Sequence, residues 1–131
     1  MTVIDSSALV AVLLAEPGWE EVQRHLEQPG VCKLSAVTFV EAAIVVEARL
    51  GANGRAQLDT LLRRIGAEVR PVDAQLAVTV VEGWRRYGRG RHRARLNFGD
   101  CFSYALAAEL DEALLFVGND FAQTDVVPAM T

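Results

Sequence analysis

Short apolar runs alternate along the chain with longer segments whose apolar positions recur at helical spacing. This alternation predicts β-strands separated by α-helices. The apolar runs predict strands at Thr2–Ile4, Val31–Leu34, Glu68–Pro71 and Ala113–Val117, with a last strand near Val126. The helical segments are predicted after Asp5-Ser6-Ser7 to Ala15, from Trp19 to about Gln28, from Ser35 to Gly51, from Arg55 to Ile65, from Asp73 to about Tyr87 and from about Asn97 to Leu110.

Turn and capping residues separate these elements. Pro17-Gly18 and Pro29-Gly30 end helices, and Gly51–Gly54 is predicted to be a turn. Ser35 and Asp73 are suited to cap the helices that follow them. Strands that alternate with helices indicate an α/β fold with a central parallel sheet of four to five short strands flanked by helices. Ligands of such sheets bind beyond the carboxyl ends of the strands.

Length and composition indicate one soluble globular domain spanning residues 1–131. Of the 131 residues, 51% are apolar and 23% are charged, which excludes a disordered tail and an integral membrane protein. The longest apolar run, Ala8–Ala15, is too short to span a bilayer, and Asp5 interrupts any signal peptide. The two cysteines, Cys32 and Cys101, fit buried thiols in a reducing compartment. We therefore expect a cytoplasmic protein.

Four of the seventeen acids occupy unusual positions: Asp5, Glu41, Asp100 and Asp120. Two of them, Asp5 and Asp120, follow predicted strands, and Asp100 lies in the first turn of a helix. At about 100° per residue, Glu41 shares one helical stripe with apolar neighbours, which predicts a carboxylate on a buried face. The neighbours on that stripe are Val37, Ile44, Val45 and Ala48.

If the sheet folds as predicted, these four carboxylates face one cleft. Packed together they repel one another, and a hard divalent cation with oxygen ligands, Mg²⁺ or Mn²⁺, is their natural counter-charge. The remaining thirteen acids balance the thirteen basic residues, so the net charge of −4 is consistent with a local acidic site. The individual alternatives are ordinary: helix capping by Asp5, interaction of Asp100 with the helix dipole, a salt bridge at Glu41 and a turn at Asp120.

A basic segment directly precedes Asp100. Between Gly88 and Leu96 the chain is rich in Gly and Arg and is predicted to be a loop. Positive charge beside aromatic residues suits a phosphate backbone and bases that can stack, while a solvated loop or a surface for a protein partner is the alternative. The six arginines of this basic segment are Arg85, Arg86, Arg89, Arg91, Arg93 and Arg95, with Trp84 and Tyr87 beside them.

The four acids lie in four stretches, which are Val3-Ile4-Asp5-Ser6-Ser7-Ala8-Leu9, Thr38-Phe39-Val40-Glu41-Ala42, Leu96-Asn97-Phe98-Gly99-Asp100-Cys101 and Leu114-Leu115-Phe116-Val117-Gly118-Asn119-Asp120-Phe121. Together these stretches resemble the PIN-domain ribonucleases, and within them the VapC-type toxins of bacterial type II toxin–antitoxin systems. Each motif is weak alone, but their order and spacing cover essentially the whole chain.

The resemblance implies a PIN-like domain with a Mg²⁺- or Mn²⁺-dependent endoribonuclease site, a homodimer and inhibition by a cognate antitoxin. It implies that Asp5, Glu41, Asp100 and Asp120 bind the metal and that a metal-activated water hydrolyses RNA phosphodiester bonds. Ser6 or Asn119 would hold a metal-bound water or a phosphate. We further predict that the basic segment draws RNA toward the site.

Two other functions fit parts of the sequence. A haloacid-dehalogenase-like phosphatase also places an aspartate after its first strand and uses Mg²⁺, but Ser7 stands where that family has a second aspartate, and Lys33, the only lysine, precedes the long helix. A non-catalytic RNA- or protein-binding module with structural acids is the second alternative. It predicts that a chelator changes neither activity nor stability.

Overall fold

Four parallel strands form the centre of the computed structural model, which describes residues 1–130. Their order across the sheet is β3-β2-β1-β4, so β1 lies between β2 and β4. In register, Val3 of β1 pairs with Lys33 of β2 and with Leu114 of β4. The strands are β1 (Thr2–Ile4), β2 (Cys32–Ser35), β3 (Glu68–Arg70) and β4 (Ala113–Leu115).

Helices connect the strands and cover both faces of the sheet. They are α1 (Ser6–Leu13), α2 (Trp19–Leu26), α3 (Ala36–Leu50), α4 (Ala52–Arg64), α5 (Ala74–Tyr87) and α6 (Phe98–Leu110). Within the described chain, none of them has both the length and the apolar character needed to cross a membrane. The predicted α/β class with a parallel sheet is confirmed.

Two apolar clusters hold the layers together, one on each face of the sheet. Adjacent strand residues point to opposite faces, and Ile4 and Leu115 accordingly pack against α1–α4, whereas Val3 and Leu114 pack against α5 and α6. All four of these side chains are at most 1% exposed. Because the strands are covered on both sides, their carboxyl and amino edges are the parts of the sheet left for polar chemistry.

Local capping explains where the long helices begin. The Ser35 hydroxyl accepts a hydrogen bond from the Thr38 amide (3.0 Å), and Asp73 accepts one from the Leu76 amide (2.8 Å). Asn97 caps α6 by accepting from the Asp100 amide (2.8 Å). Each side chain satisfies an amide that has no partner within its helix.

Two details of the predicted elements are wrong. Residues 51–54 are not a turn: Gly51, at φ +73°, ends α3, and α4 begins at once. A Cβ at Gly54 would lie 2.6 Å from the Val46 carbonyl oxygen, so glycine permits α3 and α4 to approach closely here. No strand forms near Val126 in the described chain; a single bridge joins Leu114 to Pro128, which has no amide hydrogen to extend the ladder.

Candidate functional site

Asp5 lies at the carboxyl end of the central strand and is 3% exposed. It caps α1, because its Oδ2 accepts a hydrogen bond from the Ser7 amide (3.1 Å). Its Oδ1 accepts another from the hydroxyl of Ser103, in the middle of α6. Asp5 thus performs the capping role considered as an alternative and at the same time joins β1 and α1 to α6.

Glu41 approaches the same region from α3. Its Oε1 accepts a hydrogen bond from the hydroxyl of Ser6, the residue that follows Asp5 (2.6 Å). Its carboxylate also lies against the backbone of Gly99, where an added Cβ would come within 2.7 Å of the Glu41 Cδ. Glycine at position 99 therefore lets the Glu41 carboxylate reach α6 one residue before Asp100.

The predicted buried stripe of α3 is wrong. Glu41 is half-buried, and Ile44, placed on that stripe, is 64% exposed. At 100° per residue, Glu41 lies at the edge of the face that packs on the core. The helix buries Thr38, Ala42 and Val46 instead, and it leaves Val37 and Val45 partly exposed and Ile44 and Ala48 exposed. The carboxylate is held there by the Ser6 hydroxyl, without an ion pair among residues 1–130.

Asp100 lies in the first turn of α6 and is 7% exposed. Its Oδ2 accepts a hydrogen bond from the backbone amide of Asn97 (3.1 Å). In return, the side-chain oxygen of Asn97 accepts one from the backbone amide of Asp100, and the two bonds form a capping box. One turn later on α6, Ser103 bonds to Asp5. The helix start that carries Asp100 is therefore anchored next to Asp5.

Asp120 is on the loop that follows β4 and is exposed. The beginning of this loop is fixed by the Ser7 hydroxyl, which accepts a hydrogen bond from the Val117 amide (3.0 Å). Its end is fixed by Phe121, whose side chain is 2% exposed. Asn119 is likewise exposed, and its carbonyl accepts a hydrogen bond from the Ala122 amide.

Electrostatics links the four carboxylates. The pKa of Asp100 is raised from 3.8 to about 7, mainly because burial disfavours its charged form. The hydrogen bond from Asn97 lowers it, and the negative charges of Asp5, Asp120 and Glu41 raise it further. Asp5, Glu41 and Asp120, which lie up to 115 residues apart in the sequence, are therefore all within electrostatic range of Asp100.

No basic side chain of the described residues neutralises this group. The ion pairs found in residues 1–130 involve other acids, and none includes Asp5, Glu41, Asp100 or Asp120. In the same residues, no three His, Cys, Asp or Glu side chains converge closely enough to ligate one ion directly. The oxygens of Asp5, Glu41 and Asp100 instead bind hydroxyls and amides of the protein.

Three hydroxyl residues at this site are absent from the site that the sequence predicts. The sequence predicts Ser35 only as a helix cap and assigns no role to Thr38 or Ser103. The buried polar and charged side chains of the described chain are Asp5, Ser35, Thr38, Asp100 and Ser103. The available signal was Ser103 itself, a hydroxyl within the apolar stretch 101–108 of a buried helix.

The basic segment begins in the last turn of α5, with Arg85 and Arg86, and continues as an exposed loop that is closed at its base by a bridge between Gly88 and Leu96. The Arg89 amide donates to the Leu96 carbonyl and the Leu96 amide to the Tyr87 carbonyl, both at 2.9 Å. Arg86 pairs with Asp125 (3.4 Å), and the Arg91 guanidinium lies 5.0 Å from the centre of the Trp84 ring. The side chains of all six arginines are exposed, and the loop leads directly into Asn97 and α6.

Comparison with known families decides the classification. The PIN-domain model matches residues 2–127 of this chain. The chain belongs to the PIN-domain family. A curated relative from the same family, Ribonuclease VapC of Mycolicibacterium smegmatis, is 47% identical over 124 residues, covering 95% of this chain and 96% of the relative. The haloacid-dehalogenase-like alternative is therefore wrong.

Solved structures show the same PIN fold. The crystal structure of Mycobacterium tuberculosis VapC20, described as a Sarcin-Ricin loop cleaving toxin, superposes with a TM-score of 0.79 at 19% identity and covers 97% of both chains. A chain of a toxin–antitoxin complex from Klebsiella pneumoniae superposes with a TM-score of 0.73 at 18% identity and covers 98% of both. At these identities the superpositions establish the fold.

Proposed function

We propose that this PIN-domain protein is a metal-dependent endoribonuclease and the toxin of a type II toxin–antitoxin pair. The observation that carries the proposal is the group of four acids at the carboxyl edge of the sheet, with no basic side chain of residues 1–130 paired to any of them. The 47%-identical relative is named a ribonuclease, which agrees with this chemistry.

The donor set fits a hard divalent cation. Its atoms are carboxylate oxygens, and Mg²⁺ typically binds one or two carboxylates while it keeps several waters. Such an ion needs no three converging carboxylates, and its charge would offset the burial and the mutual repulsion that raise the pKa of Asp100. Of Asp5, Glu41 and Asp100, one or two would bind the main ion directly and the others through its waters, and Asp120 would complete the cluster or hold a second ion. A bound Mg²⁺ or Mn²⁺ supplies charge stabilisation at a phosphodiester and activates water.

The chain's own residues would orient the reaction. The Ser6 hydroxyl donates to Oε1 of Glu41, and Oε2 of Glu41 lies against Gly99 at the start of α6, so the carboxylate is held beside Asp100. Asn119, exposed on the loop that carries Asp120, presents an amide that suits a phosphate oxygen. The six arginines of the basic segment would attract the RNA backbone toward a cluster that otherwise repels it.

An antitoxin and a second copy of the chain are the proposed protein partners, and the cytoplasm, where RNA is accessible, is the proposed location. One structural neighbour is a toxin–antitoxin complex. The chain also exposes apolar side chains on two helices, of the kind that partner proteins cover. These are Val40 and Ile44 on α3, which are 51% and 64% exposed, and Val78 and Val81 on α5, which are 59% and 48% exposed.

Cleavage of total RNA by the purified protein tests the enzyme directly. We expect cleavage in Mg²⁺ or Mn²⁺ and none in EDTA. Asp100→Asn removes a charge but keeps an oxygen for the Asn97 amide, so the variant should fold and lose at least roughly 100-fold in rate.

Asp73→Asn is the matched control, because Asp73 also accepts a helix-start amide but lies on α5 outside the cluster. It should cleave like the wild type. Cleavage that survives both EDTA and Asp100→Asn would refute the metal-dependent mechanism. RNA binding without cleavage under any condition would favour the non-catalytic module.

A further inference from the structure

A continuous row of buried hydroxyls ends at Asp5. The Ser35 hydroxyl lies 3.1 Å from the Thr38 hydroxyl, which lies 3.2 Å from the Ser103 hydroxyl. Ser103 donates to Oδ1 of Asp5. The three hydroxyl residues are at most 1% exposed. We call Ser35, Thr38 and Ser103 the hydroxyl chain.

The number of hydrogens available determines which hydroxyl donates at each step of the hydroxyl chain. A hydroxyl has one hydrogen, and a carboxylate only accepts. Ser103 uses its hydrogen on Asp5, so Thr38 must donate to Ser103. Thr38 has then used its own hydrogen, so Ser35 must donate to Thr38, and the Ser35 oxygen accepts from the Thr38 amide. Every hydroxyl hydrogen thus points toward Asp5.

We propose that Thr38 and Ser103 are positioning residues that orient the Asp5 carboxylate for a divalent cation. This inference rests on the proposed metal-dependent function. With Oδ1 held by Ser103 and Oδ2 held by the Ser7 amide, the carboxylate is fixed at both oxygens in one rotamer. The remaining lone pairs are therefore presented to the cleft without loss of side-chain freedom when an ion binds.

Capping and packing do not account for the hydroxyl chain. The cap of α3 needs only the Ser35 oxygen and the Thr38 amide, not the hydroxyls of Thr38 and Ser103. Burying polar groups is unfavourable compared with apolar ones of the same shape. In the described chain, the buried polar and charged side chains are the hydroxyl chain and two of the acids of the site. The polar interior is thus concentrated where it contacts Asp5.

Binding of Mn²⁺ to the purified protein, followed by calorimetry and by the Mn²⁺ paramagnetic resonance signal, tests the proposal without reference to RNA cleavage. Ser103→Ala removes the donor to Asp5 and should weaken Mn²⁺ binding roughly 10-fold or more, the effect typical of lost partners of metal ligands. Thr38→Val keeps the shape of the side chain but breaks the hydroxyl chain one step earlier, so a smaller loss, about 3-fold, is expected.

Two controls separate positioning from general destabilisation. Thr38→Ser restores the hydroxyl and should bind Mn²⁺ like the wild type. Ala107→Gly lowers the stability of α6 one turn beyond Ser103, without touching the hydroxyl chain, and should also bind normally. If Ser103→Ala fails to fold, the comparison of Thr38→Val with Thr38→Ser decides the question.

The outcomes are distinct. Wild-type protein that binds no Mn²⁺ overturns the proposed metal site, and the positioning role with it. Wild-type binding with unchanged affinity in Thr38→Val and Ser103→Ala overturns the positioning role alone. Equal losses in Thr38→Val, Thr38→Ser and Ala107→Gly would mean that the effect is one of stability, and this also overturns it.

Discussion

Within the described chain, buried acids have a basic partner at the amino edge of the sheet and none at the carboxyl edge. At the amino edge, Glu112 precedes β4, and its Oε2 lies 2.6 Å from the Nζ of Lys33 on β2. Both side chains are nearly buried, at 13% and 11% exposed. At the carboxyl edge, Asp5 and Asp100 are as deeply buried, yet neither has an ion-pair partner among residues 1–130.

The difference shows that the fold is able to neutralise a buried acid and does so at one edge only. The single lysine of the chain is used at the amino edge. At the carboxyl edge, hydroxyls and amides hold the carboxylates in place without an opposite charge from the described residues, and burial together with the neighbouring carboxylates raises the pKa of Asp100 to about 7. A site built in this way is suited to receive its positive charge from outside the chain.

Breaking the amino-edge pair should have the largest effect on stability. Lys33→Met leaves Glu112 nearly buried beside an apolar side chain, and one oxygen of Glu112 already lacks a hydrogen-bond partner. We expect a loss of roughly 3 kcal/mol in the free energy of unfolding, measured in urea. The double variant Lys33→Met with Glu112→Leu removes both charges and should recover most of it. A single variant as stable as the wild type would refute this account of the edge.

Adding Mg²⁺ should stabilise the other edge. An ion that binds only the folded state, present at ten times its dissociation constant, contributes about 1.4 kcal/mol. For a chain of this length, that raises the melting temperature by about 5 °C. Lys33→Met should keep the shift, because its change is at the opposite edge, and Asp100→Asn should lose it. A shift that NaCl reproduces at the same ionic strength would reflect screening rather than a site.

Most of the fold was predictable because its signals are local. The helix caps Ser35 and Asp73 and the start of α6 at Asn97 follow from residue type and position, and the structure confirms them. Glycine is common in turns, so the sequence predicts a turn at Gly54. In the structure, the missing side chain of Gly54 lets α4 pack closely on α3, which becomes visible only when the two helices are seen together.

The acids of the site could be predicted from the sequence, but the hydroxyl residues that hold them could not. The periodicity of α3 failed at Glu41 because that helix exposes apolar side chains such as Ile44 and buries Thr38. The hydroxyl chain has no local sequence pattern, because Ser103 is 98 positions from Asp5 and 65 positions from Thr38, the two residues that it contacts. Contacts of that separation depend on how the helices pack against the sheet.

Removing arginines from the basic segment should weaken RNA binding, because this segment offsets the repulsion between RNA and the acidic edge. The triple variant Arg89→Ala, Arg91→Ala, Arg93→Ala should flatten the dependence of log affinity on log salt concentration by up to about 2, given about 0.7 per phosphate contact of a single strand. The matched control removes three exposed arginines elsewhere, Arg24, Arg49 and Arg63. Equal losses in the two triples would indicate general charge attraction, with no defined path to the site.

Metal-free protein should show a pH dependence of stability. The pKa of Asp100 is about 7 in the folded chain and 3.8 ordinarily, so between these values the folded state holds more protons than the unfolded state. Rising pH therefore lowers the free energy of unfolding across this window, and the contribution is fully unfavourable above pH 7.

Asp100→Asn removes the titrating group, so in EDTA it should stabilise the protein more at pH 8 than at pH 5, as measured by urea unfolding. Asp73→Asn, outside the cluster, should show no such difference. At pH 8, Mg²⁺ should reduce the difference in the free energy of unfolding between Asp100→Asn and the wild type, because a cation bound to the folded state favours the ionised carboxylate. A stabilisation by Asp100→Asn that is equal at both pH values would mean that the charge at the carboxyl edge is already compensated within the chain, as it is at the amino edge.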